Sequence, residues 1–166
     1  MKSLLLGLLI SSVAMAAELK VGDSAPLFKA KTFANEDFDL AARKGQWTVL
    51  YFYPKSETPG CTKQACTFRD NIKAIRDQGA DVFGISADDV AAQAKFHEHH
   101  KLNFTILADP DMSVIKMYGS KMPLLGMSKR WTFLLDPELK IRYIDHSVDP
   151  VKDAGKMADL LKEMKK

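Results

Sequence analysis

The chain has 166 residues, of which 46% are hydrophobic and 27% are charged, and its formal net charge is +3. This length and composition suit one globular domain with a real core and exclude a disordered chain. Without residues 1–16 the chain keeps 24 − 1 = 23 basic residues against 21 acidic ones. A net charge of +2 is too weak to predict nucleic-acid binding.

The N-terminal segment has the features of a secretory signal peptide. Lys2 supplies a positive charge, an apolar run follows, and Ala14-Met15-Ala16 forms a small-x-small cleavage box. An uncleaved anchor or a buried N-terminal helix is less favoured, because the run is shorter than the roughly 20 residues of a membrane-spanning helix. We expect cleavage before Ala17, a mature periplasmic protein that is not held in a membrane, and a single domain over residues 17–166.

The rest of the chain alternates strand and helix patterns. Residues 19–39 are polar and irregular, with short strands. Later strands are predicted at Thr48–Tyr53, Ala80–Ser86, Phe104–Leu107, Trp131–Leu135 and Ile141–Asp145. Helices are predicted from about Cys61 to before Gly79, from Asp88 or Asp89 to about Lys101, from Asp109 to Tyr118, and from Asp149 to about Glu163. This order predicts an α/β sandwich.

Cys61 stands where a buried strand has ended and a helix begins. The turn Thr58-Pro59-Gly60 precedes it, and a helical stripe of apolar residues follows at Ala65, Phe68, Ile72 and Ile75. Unpaired N–H groups and the helix dipole at such a position favour the thiolate over the thiol. Because the thiolate is the nucleophilic form, Cys61 is the candidate reactive residue.

Cys66 is the second and last cysteine of the chain. The Cys-x4-Cys spacing is neither the Cys-x2-Cys of a thioredoxin motif nor a zinc pattern, and it suggests one thiol that reacts and one that resolves. A structural disulfide is the alternative that an oxidising compartment allows. However, Cα atoms five residues apart on a helix lie about 8–9 Å apart. Disulfides need less than about 7 Å, so a staple here would unwind the helix.

The residues around Cys61 resemble a known family. Pro54-x3-Thr58-x2-Cys61 resembles the peroxiredoxin active-site pattern, and the run from Thr58 to Cys66 is similar to the peroxiredoxin Q branch, also called bacterioferritin comigratory protein. Further matches are Phe68-Arg69-Asp70, Gly22-Asp23-x2-Pro26-x-Phe28 and Arg130-x-Thr132-Phe133-Leu134-Leu135-Asp136. The resemblance covers nearly the whole mature chain. It implies a thioredoxin-like fold with a central mixed sheet flanked by helices.

The resemblance also implies a role for each site residue. The Cys61 thiolate would attack a peroxide and become a sulfenic acid, and Cys66 would resolve it as an intramolecular disulfide. Arg130 would favour the thiolate and hydrogen-bond the peroxide oxygens. Thr58 would accept a backbone N–H at the helix start and donate to the peroxide. Pro54 would line the pocket over the sulfur, although a simple strand terminator explains it equally well.

The implied function is a thiol peroxidase acting on hydrogen peroxide or organic hydroperoxides. Its other partner would be an external thiol reductant, either a thioredoxin-like protein or a small thiol. We expect a monomer with no cofactor and no bound metal. Two alternatives remain open. One is a periplasmic thiol–disulfide oxidoreductase, and the other is a non-catalytic thioredoxin-like binding module.

The run His97-Glu98-His99-His100 invites a metal-site interpretation. It is not His-Glu-x2-His, because Lys101 occupies the last position. His97 and His100 could share a helix face, but the surrounding turn is polar, so a solvated helix face is the favoured interpretation.

Overall fold

The computed structural model describes residues 18–165, so the predicted signal peptide lies outside the described residues. Seven strands are formed: β1 (Lys29–Thr32), β2 (Asp37–Asp39), β3 (Trp47–Phe52), β4 (Ala80–Ser86), β5 (Thr105–Ala108), β6 (Trp131–Leu135) and β7 (Ile141–Asp145). The helices are α1 (Pro59–Arg76), α2 (Val90–His99), α3 (Ser113–Met117) and α4 (Asp153–Met164), with a 3-10 turn at Leu40–Arg43. Within residues 18–165, no helix has both the length and the apolar character needed to cross a bilayer.

The seven strands form one mixed sheet in the order β2-β1-β5-β4-β3-β6-β7. The three central strands are parallel, as expected when helices connect them, whereas the outer strands pair antiparallel. The buried pattern of β3 and β4 explains their central position, since all but the first residue of β3 and all but the second of β4 are buried. This is the predicted α/β architecture.

Each face of the sheet is covered by its own hydrophobic core. On one face α1, α2 and α4 bury apolar side chains that include Phe68, Phe96 and Leu161. On the other face the 3-10 turn and α3 pack over residues such as Phe83 and Phe133. Because strand side chains alternate, neighbouring residues of β6 serve opposite cores.

Most element boundaries agree with the sequence pattern, and the differences have local causes. The bounds of β4, β6 and β7 are as predicted, while β3 and β5 are each shifted by one residue. Helix α3 starts later than predicted, because the Asp109 carboxylate accepts the N–H groups of Val114 and Ile115 from the turn before it. Helix α4 also starts later, since residues 149–152 form a turn in which Asp149 Oδ1 accepts the Val151 N–H.

Helix α1 has the start and end that its sequence predicts. Pro59 occupies its first turn, where a missing N–H costs nothing. The helix ends at Arg76, and Gly79 follows in the left-handed region with φ +67°. Its apolar stripe faces the sheet, and this fixes the orientation of its N-terminal turn toward the ends of β3 and β6.

Candidate active site

Cys61 lies in the first turn of α1 and is almost completely buried, with 1% of its surface exposed. It belongs to the core between α1 and the sheet, beside residues of the helix stripe and of β3. The backbone N–H groups of Gly60 and Cys61 precede that of Thr62, which is the first to bond along the helix, donating to the Thr58 carbonyl at 2.9 Å. The sulfur therefore stands at the positive end of an 18-residue helix.

Arg130 is brought to this sulfur by the pairing of β3 with β6. The antiparallel register places Trp131 opposite Phe52, so Arg130 lies beside the point where the chain leaves β3 for α1. Its Nη2 donates to Cys61 Sγ at 3.4 Å. A Cβ atom added at Gly60 would stand 3.1 Å from the same nitrogen. Glycine at position 60 thus leaves the room that the guanidinium needs, and the predicted meeting of Arg130 with Cys61 is present in the structure.

A chain of hydrogen bonds holds the guanidinium from behind. Arg130 Nη1 donates to Gln64 Oε1 at 2.6 Å, and Gln64 Nε2 donates to Asp153 Oδ2 at 2.7 Å. The Thr132 hydroxyl donates to the same Asp153 oxygen at 2.8 Å. Gln64, Thr132 and Asp153 are all buried. The arginine is therefore fixed to α1, β6 and α4 at once.

Asp153 is the last acceptor in this series of hydrogen bonds, and it lies in an apolar environment. Burial raises its pKa to about 6, although the hydrogen bonds from Thr132 and Gln64 oppose the shift. The second carboxyl oxygen, Oδ1, is buried and finds no hydrogen-bond partner within residues 18–165. An ionised carboxylate at this place is consequently costly.

Thr58 occupies the N-cap position of α1 but makes no side-chain cap hydrogen bond. Its hydroxyl donates instead to the Lys55 carbonyl at 2.8 Å. The expected cap hydrogen bond from a helix N–H is therefore wrong. Donation to peroxide would require the hydroxyl proton to leave the Lys55 carbonyl. Its lone pairs remain available, so Thr58 can accept a hydrogen bond from a ligand.

Pro54 and Cys66 lie where the sequence places them. Pro54 lies two residues after the end of β3, is half-buried, and lines a cavity of about 240 Å³ with Asp88 and Met127 among others. Its position over the sulfur stays a prediction. Cys66 is half-buried on the same unbroken helix as Cys61, and both thiols are free.

Trp131 stands next to Arg130 in sequence but on the other face of the sheet. It packs against Phe133 and His146, in the core opposite to the one that holds Cys61. The alternation of side chains along β6 thus keeps this large ring away from the sulfur.

Sequence reasoning missed the residues that position the arginine. Gln64 lies three residues after Cys61, which puts both on one helix face, and Thr132 lies two residues after Arg130, on the same face of β6. Both spacings could have indicated from the sequence that Gln64 and Thr132 lie near the site. Asp153 gave none, because it is 89 residues from Gln64 in sequence and meets it only through the packing of α1 on α4.

Within residues 18–165, a separate group of side chains offers ligands that a metal accepts. Glu57, His99 and His100 present one ligand atom each, all within 4.8 Å of one another. His97 is not part of it, because its ring stacks on Phe33 with 3.6 Å between the centroids.

The chain is similar to known proteins over most of its length. The AhpC/TSA family model matches residues 21–144. Rice (Oryza sativa subsp. japonica) chloroplastic peroxiredoxin Q is 37% identical over 152 residues, covering 90% of this chain and 70% of the rice protein. Peroxiredoxin Bcp of Escherichia coli K12 is 39% identical over 132 residues, covering 76% of this chain and 85% of that protein.

Solved structures show the same fold. The crystal structure of peroxidoxin BcpB from Mycobacterium tuberculosis superposes with a TM-score of 0.83 at 33% identity, covering 89% of this chain and 99% of that one. The mixed sheet with flanking helices is the thioredoxin-like fold of peroxiredoxin structures. The chain belongs to the AhpC/TSA family of peroxiredoxins and, within it, to the peroxiredoxin Q/Bcp group.

We predict that Arg130→Met slows the reaction of reduced protein with peroxide by about 10²-fold or more, the typical cost of removing one transition-state donor. Arg130→Lys should recover only part of the rate, because an ammonium lacks the planar fork. Stopped-flow peroxide consumption measures both. Arg142→Met is the matched control, since Arg142 pairs with Asp136 on the edge strand. Equal rates in the Arg130→Met and control variants would contradict the assignment.

Asp153 predicts a pH dependence of stability. Its folded pKa of about 6 exceeds the ordinary 3.8, so between these values the folded state binds more protons and stability falls as pH rises. Relative to Asp153→Asn, the protein should lose about 2 kcal/mol of unfolding free energy between pH 4 and pH 7. Urea unfolding across that range measures it. Exposed Asp159→Asn should keep the wild-type profile, and an Asp153→Asn profile parallel to wild type would disprove the linkage.

Proposed function

We infer that this chain is a thiol peroxidase that reduces hydrogen peroxide and organic hydroperoxides, with Cys61 as its nucleophile. The observation that carries the proposal is the 3.4 Å contact between Arg130 Nη2 and Cys61 Sγ at the start of a helix. A guanidinium and a helix N-terminus both stabilise a negative sulfur, and both can stabilise negative charge on the leaving oxygen.

In the first step the Cys61 thiolate attacks one peroxide oxygen. An S–O bond forms, the O–O bond breaks, and the leaving oxygen takes up a proton to depart as water or an alcohol. Arg130 donates to the peroxide oxygens, and the N–H groups of Gly60 and Cys61 are further donors. Thr58 accepts the hydrogen of the bound peroxide, because its own proton is held by the Lys55 carbonyl.

In the second step the Cys66 thiolate attacks the Cys61 sulfenic sulfur. An S–S bond forms, the S–O bond breaks, and hydroxide leaves as water after protonation. An external thiol then reduces the disulfide. Both cysteines lie in one helix, which supports a pairing within one chain and a monomer as the working unit.

A general thiol–disulfide oxidoreductase is less favoured. Such an enzyme must present its nucleophile to a protein disulfide, whereas Cys61 is 1% exposed. A peroxide is small enough to reach a buried sulfur through a narrow opening. The absence of a Cys-x2-Cys pair from the sequence supports the same conclusion.

We also propose that the chain is exported and works in a periplasm. The support is sequence alone: Lys2, the apolar run after it and the Ala14-x-Ala16 box. N-terminal analysis of protein from its native cell should find Ala17 first. Met1 retained on a soluble cytoplasmic protein would refute the proposal.

The roles of the two cysteines predict different single-turnover behaviour. Cys61→Ser should lose all reaction with peroxide, because Cys66 lacks the donors around Cys61. Cys66→Ser should consume one equivalent of hydrogen peroxide or of tert-butyl hydroperoxide and stop as a sulfenic acid that dimedone traps. Rapid-mixing kinetics with mass spectrometry measures both. Equal loss of the first turnover in the two variants would contradict the division of roles.

The geometry of α1 predicts an unwinding step. Helical Cα atoms at positions 61 and 66 are about 8–9 Å apart, beyond the roughly 7 Å that a disulfide spans. The oxidised protein should therefore have less helix and faster amide exchange from Thr58 to Phe68 than the reduced protein, while β4 stays protected. Circular dichroism and hydrogen exchange on both redox states measure this. Identical helix content, with the Cys61–Cys66 disulfide confirmed by mass, would disprove unwinding.

A further inference from the structure

The loop that leads into α1 is fastened at several points to the segment around α2. The Ser56 N–H donates to Asp88 Oδ2 at 2.8 Å, and the Tyr53 hydroxyl donates to Gln93 Oε1 at 2.6 Å. The last fastening point before the helix is Glu57, which immediately precedes the N-cap residue Thr58. Glu57 reaches across to the C-terminal end of α2, where His99 and His100 stand.

The three side chains of this cluster come close together. His99 Nδ1 lies 3.1 Å from Glu57 Oε1, and His100 Nε2 lies 3.0 Å from Glu57 Oε2. Adjacent residues inside a helix point in different directions, but α2 ends at His99, so the His100 ring turns back to stack on the His99 ring with 4.4 Å between centroids. Each imidazole thus directs one nitrogen at the same carboxylate.

These spacings match a metal coordination sphere. For metal–ligand bonds of about 2.05 Å, tetrahedral ligand atoms are about 3.3 Å apart. Measured to the single oxygen Oε2 of Glu57, the distances to His99 Nδ1 and His100 Nε2 are 3.2 and 3.0 Å, and the three ligand atoms all lie within 4.8 Å of one another. Two imidazoles and one carboxylate are also ligand types that Zn²⁺ accepts, with water in the fourth place.

The surroundings permit a cation and help to hold one ligand. His100 packs edge-on against Phe96 with 5.0 Å between centroids, and only 17% of its side chain is exposed. One positive charge held close to the cluster is Arg69, whose Nη1 donates to the His100 carbonyl at 2.8 Å. That charge is paired with Asp70 at 2.8 Å, so it opposes a bound cation only weakly.

We propose that Glu57, His99 and His100 form a binding site for a divalent cation of the zinc class, and that a cation there fastens the loop before Cys61 to α2. This departs from the solvated helix face that the sequence favoured, because Glu57 is 42 residues from His99 and only the fold brings it there. The coupling to catalysis rests on the proposed function: unwinding the first turn of α1 requires the chain just after Glu57 to move. A filled site therefore lengthens the lifetime of the Cys61 sulfenic acid.

The binding site is tested separately from the peroxidase chemistry. Zn²⁺ is titrated calorimetrically into untagged Cys61→Ser/Cys66→Ser protein, which has no thiol to compete. We expect one equivalent to bind, with affinity about tenfold or more weaker after His99→Gln or His100→Gln, since even outer-shell changes cost 10–100-fold. His146→Gln, which removes a histidine outside the cluster, should bind as before. Co²⁺ should give the visible absorption of a tetrahedral nitrogen–oxygen site.

Absence of stoichiometric binding, or binding that His99→Gln and His100→Gln leave intact, would overturn the site and reduce the cluster to hydrogen-bonded ion pairs.

The coupling between the cation and helix unwinding has its own test in the wild-type disulfide form, which also lacks thiols. Linkage requires that a cation which opposes unwinding bind the oxidised form more weakly, by about fivefold or more for a typical coupling. Equal affinity in the disulfide form and the double-serine protein would overturn the coupling.

Discussion

The contact between the Arg130 guanidinium and the Cys61 sulfur is the interaction around which the site is built. A positive charge beside a buried sulfur is useful only if it stays in place, and the chain restrains it from three elements. The β3–β6 register places Arg130 beside the start of α1, and the missing side chain of Gly60 leaves space for the guanidinium. Gln64 accepts a hydrogen bond from Nη1, the guanidinium nitrogen that does not contact the sulfur. The carboxyl of Asp153 is buried at an energetic cost in order to hold that glutamine, and Thr132 shares the task.

In the proposed reaction cycle, helix α1 serves two steps with opposite needs. For peroxide attack, α1 must be intact to its first turn, because its N–H groups and dipole act on the sulfur. For resolution, the same turn must open so that Cys66 can reach Cys61. The local sequence fits this compromise, since Thr58 gives no side-chain cap and Pro59 offers no N–H, so few bonds hold the turn closed.

The sequence predicted what local patterns and short motifs encode. The strand and helix order, the bounds of β4, β6 and β7, and the pairing of Arg130 with Cys61 all follow from periodicity or from the family resemblance. Contacts made by tertiary packing were out of reach. The hydrogen bond between Gln64 and Asp153 joins residues 89 positions apart in sequence, and nothing near Asp153 marks it as part of a site.

The expected Thr58 cap was wrong for a different reason. Its residue type fitted both capping and substrate contact, but the choice depends on a competition within one loop. The Lys55 carbonyl lies three residues back and takes the hydroxyl proton, and sequence alone does not show which acceptor wins. The cluster of Glu57, His99 and His100 could not be predicted either. The two histidines are adjacent in sequence, but Glu57 is distant and only the fold brings it to them.

Because only 1% of Cys61 is exposed, its burial controls which oxidants and reductants can react with it. While the helix is closed, the reactive sulfur is insulated from every macromolecular thiol, and only a molecule of a few atoms can exchange electrons with it. In the proposed cycle, the turn then opens, and the reductant attacks a disulfide that includes the half-buried Cys66. In this cycle the oxidant reacts only with the closed form and the reductant only with the open form. The two therefore never meet at one surface of the protein.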